Sequence, residues 1–166
     1  MKEISAFTAT RIFNAPRQLV WEAWTTHKHL QKWFMPKGFS SGKTELDFRP
    51  GGSYHYSMVT PEGQVMWGKW VFRKIDPIER LEVIDSFSDE AGGITRHPLS
   101  PSWPPQMLMV TTLEDQGKQT KLSIEWQPYN ATDEEIELFN ASHDNMNNGW
   151  AGTFANLEEY LATIQS

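Results

Sequence analysis

A run of alternating, turn-punctuated segments followed by one long amphipathic stretch constrains this chain more than any single motif. From Asp133 to Ile164, apolar residues recur at Phe139, Met146, Trp150, Phe154, Leu157, Leu161 and Ile164, mostly three or four positions apart. That spacing puts them on one helical face, and a helix apolar on one face needs an apolar surface to cover it. The strands before it supply that surface. A curved sheet wrapped round a helix can leave a hollow between the two, a common setting for a small-molecule site.

The strands are read from alternation and turn chemistry. Glu3 to Phe13 alternates as a strand, and Asn14, Ala15 and Pro16 stop it and start a helix with Val20, Trp21 and Trp24 on one face. A second short helix is expected over His27 to Trp33, broken by Met35 to Gly38. Lys43 to Arg49, Ser53 to Val59, Gln64 to Ile75, Arg80 to Phe87, Met107 to Glu114 and Leu122 to Trp126 read as strands. Turns at Pro50-Gly51-Gly52, Pro61-Glu62-Gly63, Asp76-Pro77 and Gln116-Gly117-Lys118 separate them, and Ser88 to Pro105 is an irregular stretch. Thr132 with Glu135 forms a capping box for the closing helical region. Asn147, Asn148 and Gly149 are poor helix formers inside that region, which predicts a kink there or a break near Ala141 to Asp144. The order of elements is an α+β layer architecture, and 166 residues suit a single domain over 1–166.

Composition excludes several functions. The absence of cysteine removes disulfides, thiolate zinc sites and a cysteine nucleophile. Lys2 and Glu3 lead straight into alternating residues and not into an apolar leader, and no apolar run approaches the roughly 20 residues a membrane span needs, so a cytoplasmic protein is expected. A net charge of -6 repels the phosphate backbone, which argues against nucleic acid as a partner. Eight tryptophans, nine phenylalanines and seven methionines supply large, polarizable surfaces that serve equally as plain core or as a ligand-facing wall.

Four segments, RIFNAPRQLVWEAWT, ELDFRPGG, ERLEVIDSFSDEAGGITRHPLSPSWPPQML and HDNMNNGWAGTFANLEEYL, together resemble the bacterial branch of proteins related to the activator of a heat-shock chaperone ATPase. These lie within the START-like polyketide cyclase and lipid-transport superfamily (SRPBCC). The likeness runs over nearly the whole chain. It implies a helix-grip fold, a curved antiparallel sheet gripping the C-terminal helix, with two short helices after the first strand. It implies a range of activities: carriage of lipids or other apolar ligands, cyclase chemistry, or regulation of a chaperone in stress response.

Strand phase assigns a candidate cavity wall: Tyr54, Tyr56 and Met58, then Trp70 and Phe72, Leu81, Val83 and Phe87, Met107 and Met109, and Leu122, Ile124 and Trp126. Met146, Trp150 and Phe154 close it from the helix, and Trp33 or Phe34 from the early helices. Gly149 is expected to let the Trp150 backbone approach its neighbours closely. Candidate acid or base groups are Asp85, in phase with Leu81, Val83 and Phe87, and His97, beside Arg96 on the irregular stretch. A solvated strand end is the commoner situation for such a residue and is the favoured reading of Asp85. Asp47 and Arg49 point to the same side of a strand and read as a ligand anchor or a surface pair. His27 and His29 face different directions, no histidine–carboxylate string has ligand spacing, and no GxSxG elbow or phosphate loop is present, so neither metal nor cofactor is implied. The expected function is binding of a small hydrophobic or aromatic molecule, by a monomer or by a homodimer formed through an edge strand such as Gln64 to Ile75. A cyclase, dehydratase or hydrolase in the same cavity, and a chaperone co-regulator, are the alternatives.

Overall fold

The computed structural model describes residues 2–165. Its elements run β1 (Phe7–Phe13), α1 (Arg17–Thr25), α2 (His27–Trp33), β2 (Ser40–Leu46), β3 (Ser53–Val59), β4 (Val65–Asp76), β5 (Arg80–Ser88), β6 (Ile94–Thr95), β7 (Gln106–Gln116), β8 (Gln119–Pro128), α3 (Asp133–Asn140) and α4 (His143–Ile164). All pairings are antiparallel, in the order β1-β8-β7-β5-β4-β3-β2, with the short β6 on the end of β5. The sheet curves over α4, which is the helix-grip arrangement.

Local chemistry sets the boundaries. The capping box forms as expected: Glu135 N–H donates to Thr132 Oγ1 at 3.2 Å, and Thr132 N–H donates to Glu135 Oε1 at 2.8 Å. The helical region breaks between α3 and α4 at Ala141 and Ser142, and Asn147, Asn148 and Gly149 lie inside an unbroken α4. Ser142 Oγ donates to Leu138 O at 2.7 Å, satisfying a carbonyl that the broken ladder leaves free.

Four expectations change. The first strand begins at Phe7 and not at Glu3: continuing the register past Phe7↔Trp126 would set Ser5 opposite Pro128, which has no N–H to give. Glu3 and Ser5 bond instead to Asn140 and His143. The second strand ends at Leu46, because Asp47 to Gly52 folds as a loop in which a Cβ on Gly52 would sit 2.1 Å from Asp47 O. Asp47 and Arg49 are an exposed pair at 2.9 Å. Gln64 to Ile75 is no edge, since β4 is bonded on both sides by β3 and β5; the edges are β1 and β2. Gly149 meets nothing within 4 Å, and the close approach is one turn on at Gly152, where a Cβ would lie 3.3 Å from Lys37 Cβ.

The core packs between the inner sheet face and the helices. Trp24, Trp33, Trp70, Tyr54, Phe13, Phe72 and Phe139 are fully enclosed there. At about 1.5–3 kcal/mol for each large apolar side chain removed from water, these rings dominate the stability of the fold. None of the described helices is long and apolar enough to cross a membrane.

Candidate functional site

Cross-strand register lines up three rows on the inner sheet face. Tyr54, Trp70, Asp85 and Met107 stand side by side in one. Tyr56, Gly68 and Phe87 form the next, and Phe72, Val83, Met109 and Trp126 the row on the opposite side. Gly68 is a requirement of the second row: a Cβ there would lie 2.5 Å from the Tyr56 ring and hydroxyl, so only glycine lets that ring lie across β4.

The helices close this face with further rings. Trp24 of α1 stacks on Trp70 at 6.1 Å and on Trp150 of α4 at 6.5 Å, so one indole joins sheet to helix. Phe34 meets Trp70 edge-on at 4.7 Å and Tyr56 at 5.5 Å. Trp126 meets Trp150 at 6.1 Å. Trp150 is 8% exposed, with Met146 and Phe154 buried beside it on the same helical face, as its phase predicts. Trp33, Tyr54, Tyr56, Trp70, Phe72, Val83, Met107, Met109 and Ile124 are likewise buried. Phe34, Met58, Phe87 and Trp126 keep part of their surface accessible.

Asp85 is the one carboxyl among these rings, and it points inward. Trp126 Nε1–H donates to its Oδ2 at 3.0 Å. Burial raises its pKa from 3.8 to about 7, with the Trp126 hydrogen bond opposing the rise. The residue is half-buried, so part of its surface stays accessible. Burial also pushes the Tyr56 hydroxyl well above its ordinary range, and the neighbouring Asp85 and Tyr54 add to that. The Trp70 indole N–H, directed at the Tyr56 hydroxyl, opposes that rise, and the indole N–H of Trp24 and the hydroxyl of Thr111 are buried without a hydrogen-bond partner. Such groups cost stability unless something else satisfies them.

The stretch from Asp89 to Pro105 lies over one end of this region as a strap. Trp103 packs on Trp126 at 6.4 Å and on Phe139 at 5.9 Å. Arg96 Nη1 donates to Glu135 Oε2 at 2.6 Å and to Pro101 O at 3.1 Å, and Ser102 Oγ donates to Glu134 Oε1 at 3.1 Å, fixing the strap to the start of α3. Burial pushes the Glu135 carboxyl up, but the hydrogen bonds from Arg96 and Thr132 outweigh it and its pKa is lowered. His97 lies against the Phe87 ring at 4.9 Å and accepts from Leu99 N–H at 3.0 Å, its pKa lowered by burial. It therefore sits at the strap and outside the row that holds Asp85.

Other candidate groups lie elsewhere. His55 is on the outer sheet face, stacked on Trp67 at 4.7 Å. His29 bonds to Tyr160, and His27 to Thr44. Among the described residues no three His, Asp or Glu side chains converge as metal ligands. Open hollows lie at the surface of the described residues. One, of about 660 Å³, lies between Asn14, Pro16, Lys118 and the end of α4; another, of about 230 Å³, lies between β1 and α4 and reaches Trp150 and Phe154. Neither is lined by Asp85. Trp24, Gly68 and Trp103 were not assigned to the site from sequence. The helical phase of Trp24 with Val20 and Trp21 marks it only as core, and the contacts of Gly68 and Trp103 are set by register and strap path.

Comparison with known proteins gives a consistent picture. The model of the family described as activator of Hsp90 ATPase homolog 1-like protein matches residues 14–162. The chain is similar to a solved protein of Nitrosomonas europaea, with 25% identity, 96% of each chain covered and a TM-score of 0.75. It resembles in fold a protein of Mycobacterium smegmatis, at 20% identity, a TM-score of 0.76 and coverage of 99% of this chain and 96% of that one. It likewise resembles the AHSA1 protein of Silicibacter pomeroyi, at 16% identity, a TM-score of 0.73 and coverage of 96% and 99%. None of the curated proteins matches the chain.

Proposed function

The chain belongs to the family of activator of Hsp90 ATPase homolog 1-like proteins, and from that membership and the enclosed carboxyl we propose that it binds a small apolar or aromatic molecule between the sheet and α4. The observation that carries this reading is Asp85: a buried carboxyl with one hydrogen bond, one free oxygen and residual accessible surface amid aromatic rings. A carboxyl that served only packing would be replaced at a gain in stability by an apolar residue of the same size. Tyr56, Met58, Phe87 and Trp126 would form the wall, with Trp150 and Phe34 as its roof. Titration with N-phenyl-1-naphthylamine, a neutral fluorescent aromatic, tests this. Saturable binding that is weakened by Trp126→Ala supports the reading, and absence of saturable binding overturns it.

A second reading has one observation in its favour. A carboxyl with a pKa of about 7 is suited to exchange protons near neutrality, so Asp85 would act as the acid or base of a cyclase, dehydratase or hydrolase. His97, held on Phe87, would act on the ligand from the strap and not on Asp85. Loss of turnover in Asp85→Asn with ligand binding retained would distinguish an enzyme from a carrier. The family description also motivates a chaperone co-regulator, for which a change in chaperone ATPase rate at saturating protein is the test.

A further inference from the structure

The hydrogen bonding of Asp85 is incomplete in a particular way. Its Oδ2 accepts from Trp126, its Oδ1 accepts no hydrogen bond, and it joins none of the ion pairs formed among the described residues. Arg96, the cation on the nearby strap, is already held by Glu135 at 2.6 Å. The rings next to Asp85 are Trp70, beside it in register, Phe87, two residues along the same face, and Trp126, with Tyr56 lying over Gly68.

These features select among ligand classes. A purely hydrocarbon ligand gives the carboxylate nothing and, by displacing water, makes its charge costlier. An anion meets like charge. A cation gains from both parts of the surroundings, since aromatic faces carry negative potential and a desolvated carboxylate adds a full charge. The net charge of -6 attracts the same sign of ligand from solution.

We infer that the space beside Asp85, between the sheet and α4, takes a small organic cation, an amine or quaternary ammonium bearing an apolar or aromatic group, with Asp85 as its counter-charge and Tyr56, Phe87 and Trp126 as its aromatic surround. This rests on the internal ligand site proposed above and names the class of its ligand. The cation supplies the partner that Oδ1 lacks, and its apolar group lies along Phe87 and Trp150.

The test compares benzyltrimethylammonium with neopentylbenzene, which has the same shape and no charge. Binding is followed by tryptophan fluorescence at about pH 8, where the carboxylate form of Asp85 dominates. The ammonium should bind the unaltered protein at least about tenfold more tightly than the hydrocarbon. Asp85→Asn, which keeps the shape and an acceptor for Trp126, should remove most of that preference while leaving neopentylbenzene bound. Equal or tighter binding of neopentylbenzene by the unaltered protein overturns the inference and leaves the internal site standing. So does an ammonium affinity that Asp85→Asn leaves unchanged. Binding of N-phenyl-1-naphthylamine alone also overturns it, and failure of all three probes overturns the internal site itself. The comparison in the unaltered protein decides even where the variant fails to fold.

Discussion

Asp85→Asn should make the protein more stable, and increasingly so as pH rises. In the folded protein burial raises the Asp85 pKa from 3.8 to about 7. Across that interval the folded state keeps a proton that the unfolded chain has released, so stability is highest below it, falls as pH climbs through about 7, and then levels. At about 1.4 kcal/mol for each pH unit, the full loss is on the order of 4 kcal/mol. That is an upper value, because water entry and local relaxation soften the burial of a charge. Asparagine has the shape of the protonated acid, still accepts from Trp126 and does not titrate. Urea unfolding followed by tryptophan fluorescence should give nearly equal stabilities for the two proteins near pH 4, at roughly the unfolded value of the group. By about pH 8 the variant should be ahead by several kcal/mol. A difference that stays flat with pH, or an Asp85→Asn variant that falls behind as pH rises, would refute the reasoning.

Gly68→Ala sets a methyl group against the Tyr56 ring and should cost on the order of 1–3 kcal/mol; combining it with Tyr56→Ala should recover part of that loss in a double-mutant cycle. Trp150→Ala removes the ring between Trp24 and Trp126 and should cost roughly 3–5 kcal/mol, with bound N-phenyl-1-naphthylamine raising the melting temperature of the variant less than that of the unaltered protein. The lowered pKa of Glu135 contributes stability above the ordinary carboxylate range that is lost as pH falls through the folded value. Arg96→Ala should therefore flatten the acid limb of the stability profile, and circular dichroism across an acid titration reads this directly.

The fold was legible because its signals are periodic. The spacing of Met146, Trp150, Phe154, Leu157 and Leu161 fixes one face of α4, and alternation at Tyr54 and Tyr56, or at Met107 and Met109, fixes the inner face of the sheet. Phase set Asp85 in line with Leu81 and Val83 but could not tell an inward carboxyl from the solvated strand end that was favoured, because the Trp126 indole that bonds it lies on another strand. Pairing partners were not legible, which is why β4 read as an edge: a strand says which way its side chains point and not which strands flank it. The start of β1 was misplaced because a proline on β8, more than a hundred residues away, ends the ladder. The roles of Gly68 and Trp103 depend on what lies across the sheet and under the strap, and no local pattern carries that. Gly149 misled for the same reason, since its neighbours are set by the packing angle of α4, and the contact falls at Gly152.

The most direct measurement of the central claim uses the tryptophans as reporters. Each of the eight indole N–H groups gives its own signal in a nitrogen–proton correlation spectrum, and titration with N-phenyl-1-naphthylamine locates the ligand by which signals move. Trp126, bonded to Asp85, and Trp70, in register beside it, should shift most, with Trp67 on the outer face unchanged. Shifts confined to residues of the surface hollows, with Trp126 and Trp70 unmoved, would contradict the internal site.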